Sequence, residues 1–77
     1  MSDYSRPEKH SLTLNGHRTS VSLEPLFWKA FRRMAEARSK PLNVLAAEID
    51  AERGNDCGLA SAIRLKVLEW YAESAGH

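Results

Sequence analysis

The sequence predicts a mainly α-helical domain that opens with a short β-strand or hairpin. Three observations predict this class. Apolar and polar residues alternate over residues 11–23, a spacing typical of a strand with one buried face. Residues 25–38 then carry apolar positions at helical spacing behind a proline. Residues 41–53 and 59–75 each carry a further apolar stripe, and turn-forming residues separate them.

The first half of this pattern indicates a hairpin in which residues 18–23 form the stronger strand. Asn15 and Gly16 lie between the two alternating runs, and both tolerate the positive φ angles of a type I′ turn. The side chains predicted to face inward are Leu12, Leu14, Thr19, Val21 and Leu23. The ten residues before the hairpin are mostly polar, so residues 1–10 are predicted to form a flexible arm and residues 11–75 the domain.

The helices follow from their stripes and their boundaries. Pro25 suits the first turn of a helix because its missing N–H would be unpaired there, and the aromatic residues Phe27, Trp28 and Phe31 are interpreted as core or dimer contacts. The second helix, residues 41–53, turns Leu45 and Ile49 to one side. Glycine-rich residues 54–58 end it before the third helix begins.

A single strand ahead of three helices predicts a homodimer. An unpaired strand leaves its backbone donors and acceptors without partners. Pairing with the same strand of a second chain satisfies them and buries Val21 and Leu23 against the helices of both subunits. At 77 residues the chain also buries only a modest share of its surface alone.

The positive charge lies in one half of the chain. Residues 1–40 hold eight Lys or Arg and four acidic residues, whereas residues 41–77 hold three and six. Contacts from Lys and Arg to phosphates supply most sequence-independent affinity for DNA, so such a half is what a DNA-binding face needs. The alternative is that both halves are solvated surface, and charge alone does not decide between them.

Three runs of residues carry a family resemblance. TSVSLEP at residues 19–25, RMAEAR at 33–38 and LNVLAAEI at 42–49 resemble the ribbon-helix-helix superfamily, which includes the Arc, MetJ and CopG repressors. The chain is most similar to a branch of short bacterial proteins in which a motif like GHRTSVSL precedes the first helix and an extra helix closes the chain. The resemblance covers roughly residues 12–73. It implies an intertwined homodimer with an intermolecular antiparallel β-ribbon and a third, C-terminal helix.

The resemblance implies that the paired strands enter the major groove and that their outward side chains read bases. Because Val21 and Leu23 are assigned to the core, the outward set is Arg18, Ser20 and Ser22. Arg18 suits a bidentate contact to guanine O6 and N7, and the serines donate or accept at short range. The implied function is sequence-specific DNA binding by a transcriptional repressor.

The resemblance also implies a phosphate contact at the start of the second family helix. That place falls on Lys40, Leu42 and Asn43, and Pro41 departs from the usual Ser or Thr and removes one N–H. Residues 59–64 resemble the same helix start almost as well, which would move the contact to residues 57–61.

Three further basic or titratable residues are candidates for contact with DNA. Three roles are open to His17: contact with DNA, pairing with an acidic residue, or ending the turn. The third is the preferred interpretation. For Arg32 and Arg33 the preferred interpretation is that they are solvated or paired with acidic residues. Contact with the DNA backbone is the alternative.

The remaining function classes find less support. No nucleophile motif or glycine-rich phosphate loop is present, so no catalytic residue and no enzyme activity is expected. The lone Cys57 and the absence of a Cys/His cluster predict no metal and no cofactor. No apolar run suits a secretory signal or a membrane span, so a cytoplasmic location is expected.

The alternative function is a protein-interaction module, such as an antitoxin-like dimer, on the same fold. It would bind a protein partner through Trp70 and Tyr71 of the C-terminal helix, although such residues are more often core. Within the DNA-binding reading, the resemblance also allows further assembly of dimers along DNA.

Overall fold

The chain folds as a β-hairpin packed on three helices. A computed structural model describes residues 6–54 and 57–75. The elements follow in the order β1 (Glu8–Leu14), β2 (His17–Leu23), α1 (Pro25–Ala37), α2 (Leu42–Arg53) and α3 (Leu59–Ala75). This confirms the predicted fold class, and each helix begins and ends within one residue of its predicted bounds.

The hairpin turns at the predicted dipeptide. Asn15 and Gly16 have φ angles of 53° and 84°, so both occupy the left-handed region that a type I′ turn requires. Leu14 lies opposite His17, and the antiparallel register continues to Glu8 opposite Leu23.

The first strand begins earlier than predicted. Glu8 is its first residue, so residues 8–10, which were assigned to the flexible arm, pair with residues 21–23. Trp28 explains this extension, because its indole Nε1 donates to the Glu8 carbonyl at 2.9 Å and its ring packs edge-on against His10, with centroids 4.4 Å apart. Residues 1–5 of the predicted arm lie outside the described residues.

This pairing corrects the argument for an intermolecular ribbon. β1 supplies the antiparallel partner of β2, so hydrogen bonding along that edge does not require a second chain. The intertwined homodimer therefore stays a prediction and needs independent support.

The core lies between the inner face of the hairpin and the three helices. Its largest members are less than 2% exposed: Trp28, Phe31, Leu23, Met34, Leu45 and Ile63. Val21 and Ile49 are also buried, whereas Phe27 is partly buried at its edge. All but Phe27 of the residues predicted for the core or the dimer are thus buried within one chain.

Arg64 joins α3 to the junction between β2 and α1. Its guanidinium donates through Nε and Nη2 to the two carboxylate oxygens of Glu24, at 2.9 and 3.1 Å, and lies over the Phe27 ring. The hydrogen bond from Arg64, followed by one from the backbone, lowers the pKa of Glu24 below its ordinary value. This contact fixes the position of α3 relative to the hairpin.

Candidate nucleic-acid interface

The outer face of the hairpin is formed entirely by polar side chains. Val21 and Leu23 point into the core, so strand alternation turns Arg18, Ser20 and Ser22 outward, as the sequence predicts. The residues opposite them on β1 share this face. The outer face therefore comprises Lys9, Ser11, Thr13, Arg18, Ser20 and Ser22.

Sequence reasoning missed the β1 half of this face. The signal was present, because parity counted back from Leu12 and Leu14 places Lys9, Ser11 and Thr13 on the outward side. Lys9 was not considered, since residues 1–10 were assigned to the arm.

Two side chains from the helices contact the free edges of the hairpin. The Thr13 carbonyl accepts from Asn43 Nδ2 at 3.2 Å, and the Ser22 carbonyl accepts from Arg64 Nη2 at 3.5 Å. Both carbonyls therefore point away from the partner strand. The N–H and C=O groups of one strand residue point to the same side, and that side alternates from one residue to the next. Every second residue counted from Thr13 or Ser22 therefore points its backbone groups away from the partner strand. The six residues of the outer face thus also present the free-edge backbone groups.

The cations of the outer face have no partners among the described residues. Lys9 and Arg18 form no ion pair or side-chain hydrogen bond with residues 6–54 and 57–75. By contrast, Lys40 pairs with Glu48, Arg53 with Asp50, Arg64 with Glu24, and Lys66 with both Glu52 and Glu69. Lys9 and Arg18 lie towards opposite ends of the face, separated by about 13 Å along the strands. Their positive charge is available to an anion.

The start of α2 lies beside the hairpin. Val44 and Leu45 both donate to the Pro41 carbonyl at 3.1 Å, which leaves the backbone N–H groups of Leu42 and Asn43 ahead of the first helical bond. The Asn43 side chain holds this helix end against Thr13. Of the three residues predicted to contact phosphate, Asn43 is therefore placed next to β1.

Lys40, the third, is engaged within the chain. Its Nζ donates to both carboxylate oxygens of Glu48, at 2.7 and 2.9 Å. A contact from Lys40 to phosphate would have to compete with this bond. The alternative helix start at residues 57–61 has no described hydrogen bond to the hairpin, and the Cys57 carbonyl accepts from Arg53 instead.

The other predicted contacts lie off the outer face. His17 is exposed, but it pairs with Leu14, so parity places its side chain opposite to that of Arg18. Arg32 and Arg33 are exposed on α1, and Arg33 lines a groove between α1 and α3. Their contacts with DNA stay predictions.

The sequence of the chain matches a known domain family. A model of the ribbon-helix-helix domain matches residues 7–71, most of the chain. The chain belongs to the ribbon-helix-helix domain family. The match runs from the residue before β1 into the last turns of α3, so α3 is part of the family domain. No curated protein and no solved structure matches the chain.

Membership sets the class of function. Ribbon-helix-helix domains commonly bind DNA, typically as dimers, and they are typically non-enzymatic modules. None of the described helices is long and apolar enough to cross a membrane. Within residues 6–54 and 57–75, no three His, Cys, Asp or Glu side chains cluster as metal ligands.

Proposed function

We propose that this protein is a sequence-specific DNA-binding regulator, a repressor, that acts as a homodimer and inserts the outer face of the hairpin into the major groove. The supporting observation is the outer face itself: its six residues are all polar, and two of them, Lys9 and Arg18, form no ion pair within residues 6–54 and 57–75. The major groove of B-DNA admits a two-stranded ribbon of this kind.

The side chains divide between base reading and phosphate contact. Arg18 reads a guanine through O6 and N7, because its fork of donors matches that pair of acceptors. Ser20 and Ser22 act at shorter range beside it. Lys9, at the other end of the face on β1, contacts a base edge or the flanking phosphate.

The start of α2 binds a phosphate at the edge of the groove. The N–H groups of Leu42 and Asn43 and the positive end of the helix dipole favour an anion there. The Asn43–Thr13 hydrogen bond supports this role because it fixes the helix end relative to the strands that enter the groove. The alternative helix start at residues 57–61 has no such hydrogen bond to the hairpin among the described residues.

The test is selection of bound sequences from a random DNA pool, followed by affinity measurements on the selected site. A dimer with two-fold symmetry selects an inverted repeat. Arg18→Ala is expected to weaken binding by about 1–3 kcal/mol and to relax specificity at one base pair of each half-site. Arg38→Ala is the matched control, since it removes an equal charge from an exposed position at the end of α1.

Equal losses in the Arg18 and Arg38 variants, with specificity unchanged, would contradict base reading by the hairpin. The alternative, an interaction module, gains support if the wild-type protein shows no affinity for DNA at low salt. The observation in its favour is the exposure of Tyr71 on α3, although Trp70 packs against the core.

A further inference from the structure

An apolar groove lies between α1 and α3. Its volume is about 430 Å³, which falls within the range of sites for small organic molecules. Most of its lining residues are apolar or aromatic: Leu26, Phe27, Ala30, Val67, Leu68 and Tyr71. Among the described residues, no acidic side chain lines it. A concave, mainly apolar surface of this size is the usual form of a ligand site.

The floor of the groove is closed by the core, whereas its rim is open to water. Val67 is buried, and Phe27 and Ala30 are half-buried. At the rim, Leu26 is 51% and Leu68 is 63% exposed. Single exposed apolar residues are ordinary on a protein surface, but apolar residues that converge on one groove mark a place where another molecule binds. A ligand that covers this rim removes apolar surface from water, which stabilises the complex.

Two basic side chains of α1 complete the lining, Lys29 and Arg33. They lie four residues apart, so one helical turn separates them and their like charges repel each other. Neither forms an ion pair within residues 6–54 and 57–75. The exposed acidic residues Glu36 of α1 and Glu69 of α3 line other grooves instead. The positive charge beside this groove is therefore uncompensated, and a bound anion relieves the repulsion.

We propose that the groove binds a small carboxylate with an apolar body, either an acyl chain or an aryl ring. The body lies against Phe27 and Val67, between Leu26 and Leu68 at the rim. The two cations bind the carboxylate. The planar fork of Arg33 matches both carboxylate oxygens, and the neighbouring ammonium adds a point charge.

The combination of apolar and basic lining decides the class of ligand. A phosphate of DNA satisfies the cations but leaves the exposed leucines in water, and a neutral apolar molecule leaves the cations unpaired. A carboxylate with an apolar body satisfies both parts of the lining. The groove shares no residue with the outer face of the hairpin, so the proposal does not rest on the proposed function.

The first test compares probes that differ in one property. Octanoate, 1-naphthoate, octylammonium, 1-octanol and acetate are titrated into the full chain by calorimetry. At least one of the two apolar carboxylates is expected to bind at a single site per chain, and the tighter one identifies the body as acyl or aryl. The other three probes lack either the anionic head or the apolar body, so they are expected to bind more weakly by roughly tenfold or more.

Two results of these titrations would overturn the proposal. One is the absence of saturable binding by both apolar carboxylates. The other is binding of octylammonium, 1-octanol or acetate as tight as that of the better carboxylate, because the lining would then not select its ligand.

The second test places a negative charge in the groove. Leu68→Asp is expected to weaken binding of the tighter carboxylate by roughly tenfold or more, because it repels the anion and removes apolar lining. Leu65→Asp is the matched control: Leu65 is 62% exposed on the same helix but lines the groove on the α2 side, so normal binding is expected. Circular dichroism checks that both variants keep the helical content of the wild type. Unchanged affinity in Leu68→Asp, or an equal loss in Leu65→Asp, would contradict the site.

The third test removes the cations and examines the other occupants. Lys29→Gln/Arg33→Gln is expected to weaken carboxylate binding by roughly tenfold or more and to leave binding of 1-octanol unchanged. Loss of affinity for DNA without loss of affinity for the carboxylate would assign the two cations to DNA and overturn the proposal. Sedimentation of the aspartate variants tests for a second copy of the chain. A lower mass in Leu68→Asp but not in Leu65→Asp would show that another subunit covers the groove, and the proposal would be wrong.

Discussion

Two exposed surfaces of the chain have opposite chemistry. One is the outer face of the hairpin, and the other is the outward seam of α3, formed by Ser61, Leu65, Leu68, Ala72 and Ala75. The hairpin presents hydroxyls and the cations Lys9 and Arg18. The seam presents Leu65 and Leu68 and has no charged member. A polar, basic face favours a polyanion, whereas an apolar helical face favours another helix. The chemistry of the hairpin therefore agrees with the proposed contact with DNA, whereas that of α3 does not suit a polyanion.

The largest expected effect comes from removing the residue that attaches the hairpin to the helices. Trp28 is buried, packs edge-on against His10 and donates to the Glu8 carbonyl at 2.9 Å. Trp28→Ala is expected to lower the free energy of unfolding by about 3–5 kcal/mol. Urea denaturation measures this loss.

Trp28→Phe is the matched control for that variant, because it keeps most of the apolar volume but removes the indole N–H. This variant is expected to lose less stability than Trp28→Ala. Its effect should include weaker protection of the first residues of β1, where Glu8 accepts the bond. Hydrogen exchange of the β1 amides reports this directly. If Trp28→Ala changes stability by less than 1 kcal/mol, the hairpin is not held by this contact.

The next effect compares Lys9, which has no ion pair within residues 6–54 and 57–75, with Lys40, which is paired with Glu48. Lys9→Ala is expected to weaken DNA binding by roughly 1.5–3 kcal/mol if Lys9 donates to phosphate. It should also lower the slope of log affinity against log salt by about one. Lys40→Ala removes the same charge but breaks a bond to Glu48, so a smaller change is expected. Titrations at several salt concentrations measure both quantities.

Equal changes in the two lysine variants would show that Lys40 leaves Glu48 in the complex. The phosphate contact predicted from the sequence would then be correct, and the ion pair would belong to the free protein only.

A third effect concerns the turn that joins the two strands of the outer face. Gly16 has a φ of +84° with open space around it, so Gly16→Ala meets no clash and its cost comes from the backbone alone. It is expected to destabilise the chain by about 1 kcal/mol. Gly58→Ala, also in open space but without a positive φ, is the control and is expected to lose less.

Thermal unfolding compares the two glycine variants. A loss in Gly58→Ala as large as that in Gly16→Ala would show that the turn conformation is not what Gly16 contributes.

Local patterns predicted most of the fold, and non-local contacts account for what they missed. Asn15–Gly16 and the apolar stripes gave the turn and the three helices because those signals lie within a few residues. The start of β1 was missed because Glu8 and His10 are polar residues on its inner side, and only Trp28, far along the chain, explains their position. The Lys40–Glu48 pair likewise joins residues eight positions apart, so it depends on the direction in which α2 leaves the segment that contains Lys40.

The candidate site was half predicted for the same reason. Parity within β2 gave Arg18, Ser20 and Ser22, whereas the same parity was not applied to β1 because residues 1–10 were assigned to the arm. The seam was missed because one apolar stripe on α3 already accounted for a core face, and the second stripe, through Leu65 and Leu68, was not sought.

The smallest expected effect comes from the pair of Glu24 and Arg64, which joins α3 to the junction between β2 and α1. The hydrogen bond from Arg64 lowers the pKa of Glu24 below its ordinary 4.5, so the folded state favours the carboxylate. Stability from this pair is therefore complete above pH 4.5 and is lost as pH falls through the lowered pKa.

Arg64→Gln tests this linkage. The stability difference between this variant and the wild type should be largest at neutral pH and should shrink well below pH 4.5, where Glu24 is protonated in both proteins. The urea midpoints of both proteins, at neutral pH and well below pH 4.5, measure this stability difference. Lys66→Gln is the control, since it removes the bond that lowers the pKa of Glu52 and leaves Glu24 untouched. Because Arg64 also contacts the Ser22 carbonyl, a difference that does not vary with pH would mean that this contact, and not the carboxylate, links α3 to the hairpin.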